Sequence, residues 1–256
     1  MEMENGLQHQ TSTPKKMKLG YLRRSTEQFS DTLLIDRGGS DLEQMKQGKK
    51  DNEELVAAKK LDNIAVRGMD DKQFLNEFIH VMDISHPNIV RLEGYCYHVD
   101  GEVIKHEGNQ VLVDNLICSE YMPNGNLEKY LSKEKSGVLD WNERYKIIVG
   151  ICKVHAHILP LDLKPANVLL DNDMTPKIAD FGQSRLFGEG QTHTANVALI
   201  LSCSGYMAPE YIHRGKFTKG TYIYSLGVMI MEIVAGGKKY PEDDPLQFNE
   251  AVRLHN

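Results

Sequence analysis

Paired cysteines are missing from this chain. Its four cysteines, Cys96, Cys118, Cys152 and Cys203, stand far apart with no C-x-x-C spacing, which excludes a readable zinc site or disulfide framework and suits reduced thiols in the cytosol. An excess of basic charge is missing too. With 30 Lys and Arg against 36 Asp and Glu, the formal net charge is -6, whereas a nucleic-acid surface normally shows itself as a basic domain. Long hydrophobic runs are also absent. The most apolar stretch, Leu226 to Ala235, is broken by Glu232 and is too short to span a bilayer, so it reads as a buried core helix. No basic flank precedes an apolar run at the N-terminus, and residue 2 is Glu rather than the Gly that myristoylation requires, so neither a secretion nor an acylation signal is expected.

What is present permits an enzyme. The 256 residues are 41% hydrophobic and 26% charged, close to the averages for globular domains, and the chain is long enough to bury a large core. Residues 1–20 are polar and carry the run Thr11-Ser12-Thr13-Pro14 with lysines after it, which reads as a disordered leader ahead of structure starting near Tyr21. The segment Glu54-Leu-Val-Ala-Ala-Lys-Lys-Leu61 is a short apolar run ending in lysines, as in a buried strand with polar ends. Asp70 or Asp71 is placed to cap a helix in which Phe74, Leu75, Phe78, Ile79 and Met82 recur at helical spacing before His86-Pro87 stops it. Strand is expected again over Ile89 to Leu92 and Val111 to Met122, and Pro123-Asn-Gly-Asn126 is a turn-rich hinge. Beyond the hinge, Trp141 to about His155 and Tyr222 to Ala235 are helical in pattern. Strands first and helices second point to an α+β architecture.

Three short motifs decide the chemistry: Asp162-Leu-Lys-Pro-Ala-Asn167, Asp180-Phe-Gly182 and Gly205-Tyr-Met-Ala-Pro-Glu210. Any one of them could be an ordinary polar loop; in this order, between Asp162 and Glu210, they match the signature set of protein kinases. The chain resembles the kinase domain of plant receptor-like kinases from about Tyr21 to its end. Phrases such as His86-Pro-Asn-Ile-Val-Arg-Leu92, Glu120-Tyr-Met-Pro-Asn-Gly125 and Ile223-Tyr-Ser-Leu-Gly227 are most similar to grass receptor-like kinases.

The resemblance implies a two-lobed protein-kinase-like fold, with a strand-rich small lobe over about 21–122 and a helical large lobe over about 123–256 that lacks the family's last C-terminal helices. It implies ATP and magnesium (Mg) as cofactors, held between the lobes. Phosphoryl transfer asks a protein mainly for a cation on the phosphates, metal ligands and a carboxylate that orients the acceptor. By resemblance Lys59 holds the α and β phosphates, with Glu77 as its ion-pair partner. Ala57 and Leu169 enclose adenine, and the backbone near Glu120 and Met122 bonds it. Asp162 orients the substrate hydroxyl and takes its proton, and Lys164 stabilises the transferring group. Asn167 and Asp180 supply hard oxygen ligands to the metal. Lys164 is the residue type of serine/threonine kinases, so the implied partner is a protein with a Ser or Thr acceptor, met in the cytoplasm, including the inner face of the plasma membrane through partners. Thr192, Thr194, Ser202 and Ser204 are candidate phosphoacceptors. His155 and His157 lack a third ligand nearby in sequence and read as helix-end residues rather than a metal site.

Several positions depart from the family pattern. Where relatives carry a glycine-rich loop, this chain has Asp36-Arg-Gly-Gly-Ser-Asp41. An aspartate about 5 Å from a phosphate charge costs roughly 3 kcal/mol at an effective dielectric near 20. The family's His-Arg-Asp is Pro160-Leu161-Asp162, and the family's aspartate that anchors this loop is Tyr222. Two readings therefore stand side by side: a protein serine/threonine kinase, and a catalytically impaired pseudokinase serving as a binding or scaffold module.

Overall fold

The computed structural model describes residues 8–9, 14–37, 44–60, 84–96, 104–106, 109–111, 116–132, 137–154, 163–179, 205–214 and 218–237. The chain divides into two compact units. One comprises 1–86 and 90–122, the other 87–89 and 123–256. The expected helix between Asp70 and Met82 lies outside the described residues.

Unit 1 is built on a six-stranded sheet. Its strands are β1 (Lys15–Lys16), β2 (Leu34–Arg37), β3 (Gln44–Lys49), β4 (Leu55–Lys60), β5 (Leu92–Cys96) and β6 (Leu116–Glu120), in the spatial order β1-β5-β6-β4-β3-β2. All neighbours are antiparallel except β1 on β5. Side chains alternate across a strand, and the register follows: Val56, Ala58 and Lys60 of β4 share a face with Gln44, Lys46 and Gly48 of β3 and with Leu116 and Cys118 of β6. On that face Leu22 of helix α1 (Leu19–Ser25) joins Val56, Cys96, Leu116 and Cys118 in a buried cluster, with Met17, Leu19, Tyr21 and Phe29 packed around it.

The polar run before Tyr21 is therefore not a leader throughout. Lys15 and Lys16 pair with Gly94 and Tyr95, and the Met17 amide donates to the Tyr95 carbonyl at 2.7 Å. Exposed lysine side chains gave that segment its disordered character in sequence, but a strand at a sheet edge uses its backbone rather than its side chains. The strand expected at Ile89 lies instead at Leu92–Cys96, because His86-Pro87-Asn88 turns the chain first. Within Val111 to Met122, strand is found over Leu116–Glu120, and Val111 ends a separate hairpin of Ile104–His106 with Asn109–Val111.

Unit 2 is mainly helical. It contains α2 (Glu128–Leu131), α3 (Trp141–Val154), α4 (Pro209–Arg214), α5 (Lys219–Ala235) and a small hairpin of β7 (Val168–Leu170) with β8 (Pro176–Ile178). Sequence marks both ends of α5. Thr218 and Thr221 form a reciprocal capping box at its start, and Gly236 ends it at φ +75°, where its amide and that of Gly237 return to the Glu232 carbonyl; a residue with a Cβ enters that left-handed region at a steric cost. In α3, Ile147, Ile151 and Val154 are fully buried, while Trp141 and Tyr145 face solvent. Among the described residues no helix is long and apolar enough to cross a membrane.

Candidate active site

In unit 1 the candidate nucleotide residues sit in the middle of the sheet. Lys59 lies between Met45 of β3 and Ile117 of β6, and Ala57 lies between Gln47 and Ser119. Strand alternation places Ala57 and Lys59 on one face and Lys60 on the other. Ala57 is buried, so the backbone there approaches its surroundings closely, and Lys59 is half-buried with its charge at the polar end of the strand. Glu120 ends β6, where its amide donates to the Arg91 carbonyl at 3.0 Å and its carboxylate accepts from the Arg91 amide at 2.8 Å. Met122, buried two residues later, is the last residue of the unit. Glu77 lies outside the described residues.

Unit 2 carries the other candidates on one short construction. Leu163 is buried, Lys164 is extended at φ -148° and ψ 160°, and a 3-10 turn over Pro165–Asn167 follows before β7. A proline at the first position of such a turn loses no hydrogen bond and presets φ. The Asn167 amide donates to the Lys164 carbonyl at 3.0 Å, and the Asn167 carbonyl accepts from the Ala179 amide at 2.8 Å. Asn167 is thus held on both sides. It is only 9% exposed, and Ala179 is the residue immediately before Asp180. The β7–β8 hairpin therefore ties the end of the first motif to the residue that precedes the second. Leu169, half-buried in the centre of β7, forms a bridge with Asn126.

Three neighbours fix that hairpin. The turn after the hinge pairs with β7: the Asn124 amide donates to Leu170, the Leu170 amide to Gly125 and the Leu127 amide to Val168. Asn88 donates its side-chain amide to the Pro176 carbonyl at 2.8 Å and accepts the Ile178 amide on its own carbonyl. From the helix side, Gly150 of α3 lies so close that a Cβ there would stand 2.4 Å from the Pro176 ring and 2.7 Å from the Asn88 amide nitrogen.

The third motif is anchored to α5. The Tyr206 hydroxyl donates to the Glu232 carboxylate at 2.7 Å, and the Ser225 hydroxyl donates to the Tyr206 carbonyl at 2.6 Å. Burial, reinforced by the Glu232 carboxylate, pushes the Tyr206 phenol well above its ordinary range. Tyr222 is completely buried in α5 where the family pattern has aspartate, and burial, with the Cys152 thiol as a lesser cause, raises its phenol as well. The helix accommodates this substitution as an aromatic core residue.

Asp162 and Asp180 lie outside the described residues, as do Pro160, His155, His157, the stretch from Gly38 to Asp41, and the candidate phosphoacceptors Thr192, Thr194, Ser202 and Ser204. Among the described residues no three His, Cys, Asp or Glu side chains cluster as a metal site. An asparagine amide oxygen on a backbone held from both sides is nonetheless a hard donor of the kind a divalent cation takes. Sequence reading missed Asn88, Gly150, Tyr206 and Glu232 as supports of these segments; only the motifs that contain Asn88 and Tyr206 hinted at them.

A family model described as protein kinase domain matches residues 39–255. Cysteine-rich receptor-like protein kinase 34 of Arabidopsis thaliana is 38% identical over 226 residues, covering 85% of this chain and 31% of that protein. Cysteine-rich receptor-like protein kinase 10 of the same plant is 36% identical over 238 residues, covering 89% of this chain and 33% of that protein. Cysteine-rich receptor-like protein kinase 25, also from Arabidopsis thaliana, is 37% identical over 234 residues, covering 87% and 32%. The chain spans about a third of the length of the curated relatives it matches. With its motifs in order, its match running over most of its length and these relatives all plant receptor-like kinases, the chain belongs to the protein kinase domain family.

Proposed function

We propose that this chain binds ATP with magnesium and transfers the γ-phosphate to a serine or threonine hydroxyl of a protein, as the catalytic domain of a receptor-like kinase acting in the cytoplasm. The observation that carries the reading is Asn167. Its main chain is bonded to Lys164 on one side and, on the other, to Ala179, the residue before Asp180, which supports a site that works by positioning.

In this reading Lys59, paired with Glu77, neutralises charge on the α and β phosphates, and Ala57, Leu169, Glu120 and Met122 receive the adenine. Asn167 and Asp180 hold the metal, which when bound supplies charge neutralisation on the phosphate oxygens. The acceptor oxygen bonds to the γ-phosphorus as the bond to the ADP oxygen breaks. Asp162 takes the acceptor's proton, and Lys164 stabilises the charge on the transferring oxygens.

The test combines a thermal melt with a transfer assay. Saturating MgATP should raise the melting temperature of the chain, and Lys59→Ala should abolish that shift, because a ligand that binds only the folded state stabilises it. Phosphate incorporation into a Ser- or Thr-containing peptide should fall by about 10²-fold or more in Asp162→Ala. A cooperative melt with no nucleotide shift and no incorporation would overturn the proposal.

A further inference from the structure

The C-terminal end of β6 is held by a side chain as well as by the strand ladder. Leu116, Ile117 and Cys118 stand opposite Cys96, Tyr95 and Gly94 of β5, but Ser119 stands opposite Leu92, so Glu93 is an extra residue in β5 and the pairing carries a bulge there. An extra residue bends its strand and re-aims side chains, and such bulges recur next to active sites. Past the bulge Glu120 meets Arg91 twice: the Glu120 amide donates to the Arg91 carbonyl at 3.0 Å, and the Glu120 carboxylate accepts from the Arg91 amide at 2.8 Å. In an antiparallel pair the second of these bonds ordinarily ends on a main-chain carbonyl; here a carboxylate takes that place. On its other side Glu120 pairs with Val56 of β4.

Arg91 is gripped in turn. Its guanidinium lies 2.7 Å from Glu93 Oε1, and Lys50, just after β3, donates to Glu93 Oε2 and to Glu54 Oε2. Opposite charges therefore alternate from Glu120 through Arg91, Glu93 and Lys50 to Glu54. The Glu93 and Lys50 side chains are only 13% and 18% exposed, so solvent screens them less than it screens Arg91, which is 45% exposed. The strongest hold on Glu120 is the bond from the Arg91 amide, because a hydrogen bond to an ionised acceptor is worth more than a half-exposed ion pair. All five residues belong to unit 1.

What these bonds fix is main chain. Glu120 is the last residue of β6, and Met122, two positions on, is the last residue of the unit. Residues 121 and 122 lie beyond the strand, so the order they take from the sheet reaches them through Glu120. A backbone group that must meet the edge of a planar ring loses affinity when it has to be ordered on binding, and one already held in shape does not.

We infer that Glu120, through its carboxylate, and Glu93, through Arg91, are positioning residues for the nucleotide: they hold the backbone of 120–122 in the shape that accepts an adenine ring. The inference rests on the reading of this chain as an ATP-binding domain, and it adds a source of affinity that acts on the base and leaves the phosphate end at Lys59 alone. Its signature is a loss confined to the base, in which adenosine and MgATP weaken by the same factor.

The experiment uses the full chain, with MgATP and adenosine as separate ligands in calorimetry and a Ser- or Thr-containing peptide for kinetics. Glu120→Ala should weaken both ligands alike by about three- to tenfold, the size of one such hydrogen bond, and should show in the KM for ATP rather than in kcat or the KM for peptide. Glu120→Gln, whose amide oxygen still accepts from the Arg91 amide, should recover most of the loss. Arg91→Met, at a half-exposed position, removes the grip of Glu93 while keeping the main-chain bonds, and should weaken both ligands by about two- to threefold; it keeps the inference testable where Glu120→Ala melts without cooperativity. A wild-type chain that binds neither ligand would overturn the inference together with the reading beneath it. Normal wild-type binding with Glu120→Ala unchanged, a loss for MgATP without one for adenosine, or no recovery in Glu120→Gln would overturn the inference alone, and an unchanged Arg91→Met would overturn the part given to Glu93.

Discussion

The guanidinium of Arg144 in α3 donates from one nitrogen to the carbonyls of both Ile233 and Val234, at 3.0 Å each, and so closes the C-terminal end of α5. Those carbonyls belong to the last turn, where helical amides run out and the Ile233 carbonyl otherwise receives only the capping Gly236 amide at 3.3 Å, and the positive charge sits at the negative end of the helix dipole. Arg144 also donates from Nε to the Leu139 carbonyl at 3.1 Å, which joins the entry of α3 to the exit of α5. Gly236 makes room for it: a Cβ there would lie 2.8 Å from the guanidinium nitrogens.

Arg144→Met, which keeps the stem but removes the donors, should therefore destabilise the chain by about 1–3 kcal/mol. Urea unfolding followed by circular dichroism measures this as a lower midpoint at unchanged slope. Arg144→Lys should recover only part of the loss, since a lysine cannot present its donors in a planar fork.

Tyr206 and Glu232 make a second test. Glu232 is 4% exposed and accepts from the Tyr206 hydroxyl, so Tyr206→Phe removes this donor from a buried carboxylate. A loss of about 1–3 kcal/mol is expected, and Tyr206→Phe with Glu232→Gln should cost less than the two single losses added together. A double-mutant cycle in urea measures the coupling.

Alkaline stability should report Cys118. Burial, the larger cause, and the Glu93 carboxylate push its thiol up to about 12 from an ordinary value of 9.0. The folded state then keeps a proton that the unfolded state has lost, so the stabilisation is complete below pH 9 and disappears as the pH climbs through about 12. Cys118→Ala should flatten the fall in stability over that range. Thiol labelling at pH 8 should modify the exposed Cys152 long before Cys118 or Cys96, both of which are buried.

Gly150→Ala inverts a general rule. Inside a helix alanine normally gains about 1 kcal/mol over glycine, but here the added methyl meets Pro176 and Asn88. The variant should melt at a lower temperature than wild type, and because β8 pairs with the strand that follows Asn167, peptide phosphorylation should fall with it. A higher melting temperature would show that the hairpin has slack.

Local pattern made much of this protein legible in its amino-acid order. A short apolar run ending in lysines marked the strand at Leu55–Lys60, helical spacing marked the helix from Trp141, and the motifs around Asn167 and Tyr206 pointed to the family before any fold was seen. Each of these signals is contained in a few adjacent residues, where the periods of strand and helix and the chemistry of a loop are written directly. Tertiary structure decided the rest. That Lys15 joins Gly94, that Asn88 holds Pro176 and that Arg144 caps α5 depends on residues roughly 80 to 90 positions apart. The hold of Glu120 on Arg91 likewise exists only once β5 and β6 meet. No periodicity records such meetings, because they are set by which faces pack together once the core has formed.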